Sequence, residues 1–138
     1  MNITGGCYCG AIRYRFDGNV TTTFQCHCRE CQYVTGGQAN IVYVLQQENF
    51  TFVKGSPATY VRQDIEEPVT RFFCADCGTP LGSISPKRPG AFILKVGTTD
   101  KPEKWSPQFA IFTCDMQPYH TVPDDVPKFE KRPQANSQ

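Results

Sequence analysis

The 138-residue sequence lacks the features that mark membrane-spanning, nucleic-acid-binding and secreted proteins. No apolar run approaches the roughly 20 residues that a membrane-spanning helix needs. The formal net charge is +1 and no block of one charge sign occurs, which argues against a nucleic-acid partner. The first residues lack the charged and apolar regions of a signal peptide. We therefore expect a cytoplasmic protein that contacts neither membrane nor nucleic acid.

Sustained helical periodicity is also missing, and short apolar runs predict a mainly β protein. Ile12, Tyr14 and Phe16 alternate with arginines, as in a half-buried strand. Single helical turns are expected near Arg29 and Lys101. The chain fits one domain over residues 1–138, with an extended tail over about 123–138. Further strands are predicted over residues 20–25, 39–45, 50–53, 58–62, 69–73, 81–85, 91–96 and 108–113.

The sequence does contain eight cysteines: Cys7, Cys9, Cys26, Cys28, Cys31, Cys74, Cys77 and Cys114. In a reducing compartment, clustered cysteines are metal ligands or reactive thiols more often than disulfides. Three of them fall within six residues. In an extended strand Cys26 and Cys28 point to the same face, and a turn brings Cys31 back beneath them. This spacing predicts three ligands for one metal ion.

A second metal motif is the Cys-x-x-Cys-Gly sequence over residues 74–78, which is typical of a zinc knuckle. One knuckle supplies two ligands, and Cys7 and Cys9 are natural partners because strand alternation puts both on one face. Spacing alone leaves open a swap in which Cys74 and Cys77 join two members of the triad. The remaining positions are then completed by His27, His120 or Cys114.

These last three residues also have plainer interpretations. His27 lies between two ligands that face one way, so alternation turns its side chain to the opposite face, where it supports a ligand or the fold. A lone histidine such as His120 is more often an ordinary surface or core residue. Cys114 has no cysteine near it in sequence and is expected to be a small buried apolar residue.

The charge of a three-thiolate site indicates what chemistry it favours. Three thiolates on Zn²⁺ leave a net negative centre, which is a poorer Lewis acid toward water than zinc on three neutral histidines. A soft thiol substrate suits such a centre and loses its proton on binding. We therefore expect thiol addition to a carbonyl, or carbon–sulfur cleavage of the adduct, in preference to hydrolysis or iron–sulfur chemistry.

Three cysteine motifs, over residues 6–14, 26–31 and 73–81, occur in that order together with Gly36, Gly97 and Asp100. In these residues the chain resembles the glutathione-dependent formaldehyde-activating enzyme family, which also contains centromere protein V. The resemblance implies a single-domain β-tent fold, similar to the Mss4-like group, with zinc-binding knuckles. It further implies two Zn²⁺ per chain: a structural ion on Cys7, Cys9, Cys74 and Cys77, and a catalytic ion on Cys26, Cys28 and Cys31.

The activity implied by the resemblance is that of a carbon–sulfur lyase, forming S-hydroxymethylglutathione from glutathione and formaldehyde. A small thiol such as glutathione would be the partner. The sequence departs from the family pattern at Ala110, near which typical members carry a histidine, and at Tyr119, near which they carry a tryptophan.

Two other functions compete with this hypothesis. One is a non-catalytic, zinc-stabilised module that binds a protein partner, which a closed second site or a single zinc ion per chain would favour. A thiol redox sensor would use Cys26, Cys28 and Cys31 to release zinc on mild oxidation.

Overall fold

The computed structural model describes residues 1–133, and within that range the protein is mainly β, as the sequence predicts. The strands are β1 (Asn2–Gly6), β2 (Arg13–Asp17), β3 (Val20–Cys26), β4 (Asn40–Gln46), β5 (Phe50–Lys54), β6 (Ala58–Val61), β7 (Thr70–Phe73), β8 (Pro80–Ile84), β9 (Ala91–Lys95) and β10 (Phe109–Ile111). The α-helix of this range is α1 (Arg29–Thr35), and short 3-10 helices cover Gln47–Asn49, Val96–Thr98, Pro102–Lys104 and Thr113–Asp115. None of these helices is long and apolar enough to cross a bilayer.

The chain forms two compact units. The first comprises Met1–Thr22 and Tyr43–Lys104, and the second comprises Thr23–Val42 and the chain from Trp105 onward. A single domain over residues 1–138 stays a prediction. The last part of the predicted tail, residues 134–138, lies outside the described residues.

In the first unit, β1, β2 and β5 form an antiparallel sheet, and β9, β8, β7 and β6 follow one another as antiparallel neighbours. Aromatic rings fill its core, with the Phe50 and Phe92 rings stacked at 4.1 Å between centroids. Gly5 permits a close approach, since a Cβ there would lie 2.2 Å from the Thr98 carbonyl oxygen. This approach brings β1 against the segment that follows β9. No sequence prediction covered β1, whose short run ends in two glycines.

The second unit contains β10, most of β3 and the start of β4 up to Val42, in the order β10-β3-β4, and β10 runs parallel to β3. The Phe24 and Phe109 rings stack at 5.4 Å across this pairing. The segment after residue 126 returns along β10: the Ala110 amide donates to the Pro127 carbonyl and the Phe129 amide donates to the Ala110 carbonyl, both at 2.9 Å. The end of β3, which pairs with β10, leads directly into α1. The cysteine triad lies at this junction.

Candidate metal centres

Four cysteines of the first unit come together, and we call Cys7, Cys9, Cys74 and Cys77 the four-cysteine cluster. Their sulfur atoms all lie within 4.8 Å of one another. The Cys9 sulfur is 3.6 Å from that of Cys7 and 3.8 Å from that of Cys74. A Zn–S distance of about 2.3 Å corresponds to a tetrahedral S–S edge of about 3.8 Å, whereas a disulfide bond is about 2.05 Å. The sulfur positions therefore fit four thiolates around one zinc ion.

Two turns present these thiols. The Gly10 amide donates to the Cys7 carbonyl at 3.1 Å, and the Gly78 amide donates to the Cys74 carbonyl at 2.8 Å. Both glycines have left-handed backbone, with φ of 82° and 79°, which an L side chain rarely adopts. The expectation that Cys7 and Cys9 share one face of a strand is wrong, because β1 ends at Gly6 and a turn follows.

Hydrogen bonds to the sulfur atoms of this cluster favour the thiolate form, which binds a cation. The Ile12 amide donates to the Cys7 sulfur at 3.2 Å, and the Cys77 amide donates to the Cys74 sulfur at 3.4 Å. The Thr79 hydroxyl lies 3.1 Å from the Cys77 sulfur, and this contact is the largest cause that lowers the pKa of Cys77 to about 6. Donors that face sulfur favour the thiolate, which is the form that binds metal.

The second unit holds the three-cysteine cluster of Cys26, Cys28 and Cys31, whose sulfur atoms also lie within 4.8 Å of one another. Cys26 and Cys31 are buried, while Cys28 is partly exposed. Within residues 1–133, no fourth ligand atom from a histidine, cysteine or carboxylate joins the group. Cys74 and Cys77 thus group with Cys7 and Cys9 and with no member of the triad. The swap that spacing allowed does not occur.

One sulfur of the triad is the acceptor for the others. Cys28 precedes α1 as its N-cap, and its sulfur accepts from the Cys31 amide at 3.3 Å. Hydrogen bonds from the Cys26 and Cys31 thiols are the largest causes that lower the pKa of Cys28 to about 2, and the same contact with Cys28 raises the pKa of Cys26. These contacts favour the thiolate form of the partly exposed Cys28, and a bound cation would displace the protons of the other thiols.

A buried glutamine holds this turn against the segment that follows β10. The Gln32 side-chain amide donates to the carbonyls of His27, at 2.8 Å, and Asp115, at 2.9 Å. Its oxygen accepts from the Arg29 guanidinium and, at 3.1 Å, from the Gln117 side chain. All four capacities of the side chain are used, so Gln32 fixes the helix that presents Cys31.

His27 and His120 form a buried pair behind the triad. His27 has no exposed surface, and its Nδ1 lies 3.0 Å from Nδ1 of His120. His120 Nε2 lies 2.7 Å from the Gly37 carbonyl oxygen, which can only accept, so His120 carries its proton on Nε2. The His120 Nδ1 atom then accepts from the Gln117 amide and from His27 Nδ1–H. Each proton position follows from the one before it.

The chain of donors ends at a second glutamine. His27 Nε2 accepts from the Gln25 side-chain amide at 3.4 Å, and that amide also donates to the Thr121 carbonyl at 3.2 Å. Burial, followed by the charge of His120, lowers the pKa of His27, so the ring is held neutral. His27 and His120 are thus both buried core residues, and a role of His27 in supporting a metal ligand stays a prediction.

The other predicted candidate lies elsewhere. The expectation that Cys114 is a buried apolar residue is wrong, since its side chain is exposed, and it is not a member of either cluster. Gln25, Gln32 and Asp115 were missed, because glutamine and aspartate in a sequence usually indicate an exposed side chain. Nothing local to them marks the partners they meet.

The partly exposed triad has a polar and aromatic neighbour on α1. The Arg29 guanidinium carbon lies 5.0 Å from the centroid of the Tyr33 ring, and the Tyr33 side chain is exposed. The Asp115 carboxylate accepts from the Arg29 amide at 3.3 Å. The residue that directly follows Cys28 is therefore a cation whose ring partner is Tyr33 and whose backbone amide is held by a carboxylate.

Comparison with known proteins bears on this arrangement. The sequence profile of the family described as "Glutathione-dependent formaldehyde-activating enzyme" matches residues 2–115, which include every cysteine of both clusters. A protein of Halomonas elongata, with the provisional name glutathione-dependent formaldehyde-activating enzyme, is 28% identical over 94 residues, which cover 64% of this chain. The chain spans 60% of the length of that curated relative.

The fold also has a counterpart of known structure. The crystal structure of a Rhodobacter sphaeroides protein superimposes with a TM-score of 0.57 at 18% sequence identity, covering 70% of this chain and 87% of that one. At this level of identity the likeness concerns the fold alone.

Proposed function

This chain belongs to the glutathione-dependent formaldehyde-activating enzyme family, and on that premise we propose that it is a zinc-dependent enzyme of carbon–sulfur lyase type. It joins a small thiol to an aldehyde, or cleaves the adduct, at the three-cysteine cluster. The observation that carries this proposal is a triad of close sulfurs, one of them on the partly exposed Cys28, with no fourth protein ligand among residues 1–133.

Cys26, Cys28 and Cys31 would hold the catalytic ion in three of four tetrahedral positions, which leaves one for an outside ligand. Cys7, Cys9, Cys74 and Cys77 would hold a structural ion, since four thiolates close a tetrahedron. The two ions per chain and the β-tent arrangement of the family are part of this proposal. The sulfur separations and the knuckle turns support it.

A zinc ion on three thiolates supplies a soft cation on which a thiol exists as its thiolate at neutral pH. In the reaction a carbon–sulfur bond would form between the substrate sulfur and the aldehyde carbon, the carbonyl electron pair would move to the oxygen, and the oxygen would take up a proton that balances the one lost by the thiol. The reverse steps cleave the adduct. Glutathione and formaldehyde are the proposed thiol and aldehyde.

Residues of the chain assist by holding charge and excluding water. The buried faces of Cys26 and Cys31 leave the Cys28 side as the approach to the site. Arg29 lies beside it with an exposed side chain and is suited to bind a carboxylate of glutathione. The buried His27, whose pKa is lowered, and its partner His120 help to orient the end of β3.

Exchange NMR tests the proposal. The zinc-loaded protein is mixed with glutathione and formaldehyde, and exchange between free glutathione and its hydroxymethyl adduct is measured. We expect faster exchange than in the uncatalysed mixture, loss of the acceleration in Cys28→Ser, and no loss in the matched control Cys114→Ser. A wild type that carries two zinc ions and gives no acceleration would refute the glutathione reaction and favour the non-catalytic binding module.

A further inference from the structure

A cavity in the first unit lies outside both cysteine clusters. It has a volume of about 350 Å³, within the range of small-molecule sites. Its walls come from β1, from the start of the 43–104 segment and from the chain after β9, and include Ile3, Thr4, Tyr43, Asp100, Lys101 and Lys104. None of the predicted metal ligands lines it.

Tyr43 is the feature of this cavity that points to a ligand. Its side chain is buried, with 3% of its surface exposed, yet its hydroxyl makes no hydrogen bond within residues 1–133. Every fully buried side-chain oxygen or nitrogen of that range has a partner. The Tyr43 hydroxyl therefore keeps some exposed surface, and because Tyr43 is among the residues that line the cavity, we infer that this hydroxyl lies at the cavity wall.

The cavity combines this hydroxyl with positive charge. Lys101 and Lys104 are exposed, and neither ammonium forms an ion pair or side-chain hydrogen bond within the described residues. The Asp100 carboxylate, in contrast, is neutralised by the Arg13 guanidinium at 2.6 and 3.1 Å and accepts from the Thr4 hydroxyl at 2.7 Å. The unpaired side-chain charges of the residues that line the cavity are thus cationic, and the Glu103 carboxylate, whose charge acts on Tyr43, is not one of those residues.

The edge of β1 adds a backbone donor. β1 is an edge strand of its sheet, and the Thr4 carbonyl accepts from the Asp100 amide at 2.9 Å. Because backbone groups alternate in direction along a strand, the Asn2 amide also faces away from β2. The buried Ile3 side chain and the Tyr43 ring supply apolar wall.

We propose that this cavity is a binding site for a small organic carboxylate with an apolar body. The carboxylate accepts from the Tyr43 hydroxyl and lies against Lys101 and Lys104, while the body packs on Ile3 and the Tyr43 ring. Burial, and then the charge of Glu103, raise the pKa of Tyr43, so the hydroxyl keeps its proton and remains a donor. The site is independent of the reaction proposed for the cysteine triad.

Benzoate is the probe, with benzamide as its uncharged counterpart and acetate as the carboxylate without an apolar body. Each is titrated into ¹⁵N-labelled, zinc-loaded protein at constant ionic strength while amide chemical shifts are followed. We expect saturable shifts with benzoate at residues 2–4 and 99–104, and at least fivefold weaker binding of benzamide and of acetate. Benzoate that produces no saturable shift there, or benzamide that binds equally well, overturns the proposal.

Variants assign the contact to Tyr43. Tyr43→Phe removes an unpartnered hydroxyl, so the melting temperature should be kept while benzoate binding weakens about tenfold, as for a hydrogen bond to a charged group. Tyr60→Phe, at an exposed ring of the same unit, is the matched control and should leave binding unchanged. Lys104→Gln should weaken binding and reduce its salt dependence. Equal benzoate affinity in Tyr43→Phe and wild type rejects the site.

Discussion

At the scale of single residues, Cys28 combines a lowered thiol pKa with partial exposure. Replacing it by serine removes the main acceptor and one thiolate from a set of three, so the triad should lose zinc. We expect metal analysis to find two zinc ions per wild-type chain and about one in Cys28→Ser, with the fold retained. Cys114→Ser, at an exposed thiol outside both clusters, should still bind two ions. Unfolding of Cys28→Ser would instead indicate that the triad is structural.

The contact between His27 and His120 leads to a prediction about stability. His120→Ala leaves the Nδ1–H of the fully buried His27 without a partner and also removes the donor to the partly buried Gly37 carbonyl. Unsatisfied buried groups cost about 1–3 kcal/mol each, so the free energy of unfolding should fall by about 2 kcal/mol or more. Denaturant unfolding measures it, with Thr121→Ala, an exposed neighbour, as control. Equal stability of the two variants would remove the pair from the structural core.

At the scale of elements, Asp100 ties the segment after β9 to β1 and β2 through Thr4 and Arg13. Arg13, and then Thr4, lower the pKa of Asp100. A carboxyl with a lowered folded-state pKa contributes stability that is fully present above its unfolded pKa, about 3.9, and is lost as pH falls through the folded value. The contribution is modest, since the Arg13 and Asp100 side chains are 39% and 43% exposed.

Asp100→Asn should therefore lower the free energy of unfolding at pH 7 by about 0.5 kcal/mol, in the range of exposed ion pairs. The difference between the variant and wild type should stay constant from pH 7 to 5 and shrink below about pH 4. Denaturant titrations at equal zinc concentration measure this difference, with Asp17→Asn as an exposed control. A gap that widens toward acid would contradict the assigned role of Arg13.

At the scale of the whole molecule, each cysteine cluster draws all its members from one compact unit. Loss of one metal should then be felt first in the unit that holds it. Hydrogen exchange should show that Cys77→Ser loses slow-exchanging amides in β7 and β8, whereas Cys28→Ser keeps them. The same loss in both variants would mean that the two ions stabilise the chain as one cooperative structure.

Local spacing determined much of this protein from sequence alone. The knuckle glycine at residue 78, the three thiols within residues 26–31 and the alternation of Ile12, Tyr14 and Phe16 each report on neighbours along the chain, and such patterns follow from backbone periodicity. They were enough to predict a mainly β protein, to single out the cysteines of both clusters and to identify the family.

The tertiary structure decided which distant residues meet. The contact between His27 and His120 joins positions 93 residues apart, and the four-cysteine cluster brings residue 9 to residue 74, a separation of 65. The Gln32 side chain donates to two carbonyls. The Tyr43 side chain lies beside a cavity, and its hydroxyl has no hydrogen-bond partner among residues 1–133. No local pattern encodes such contacts, because they depend on how separate strands pair and pack once the whole chain has folded.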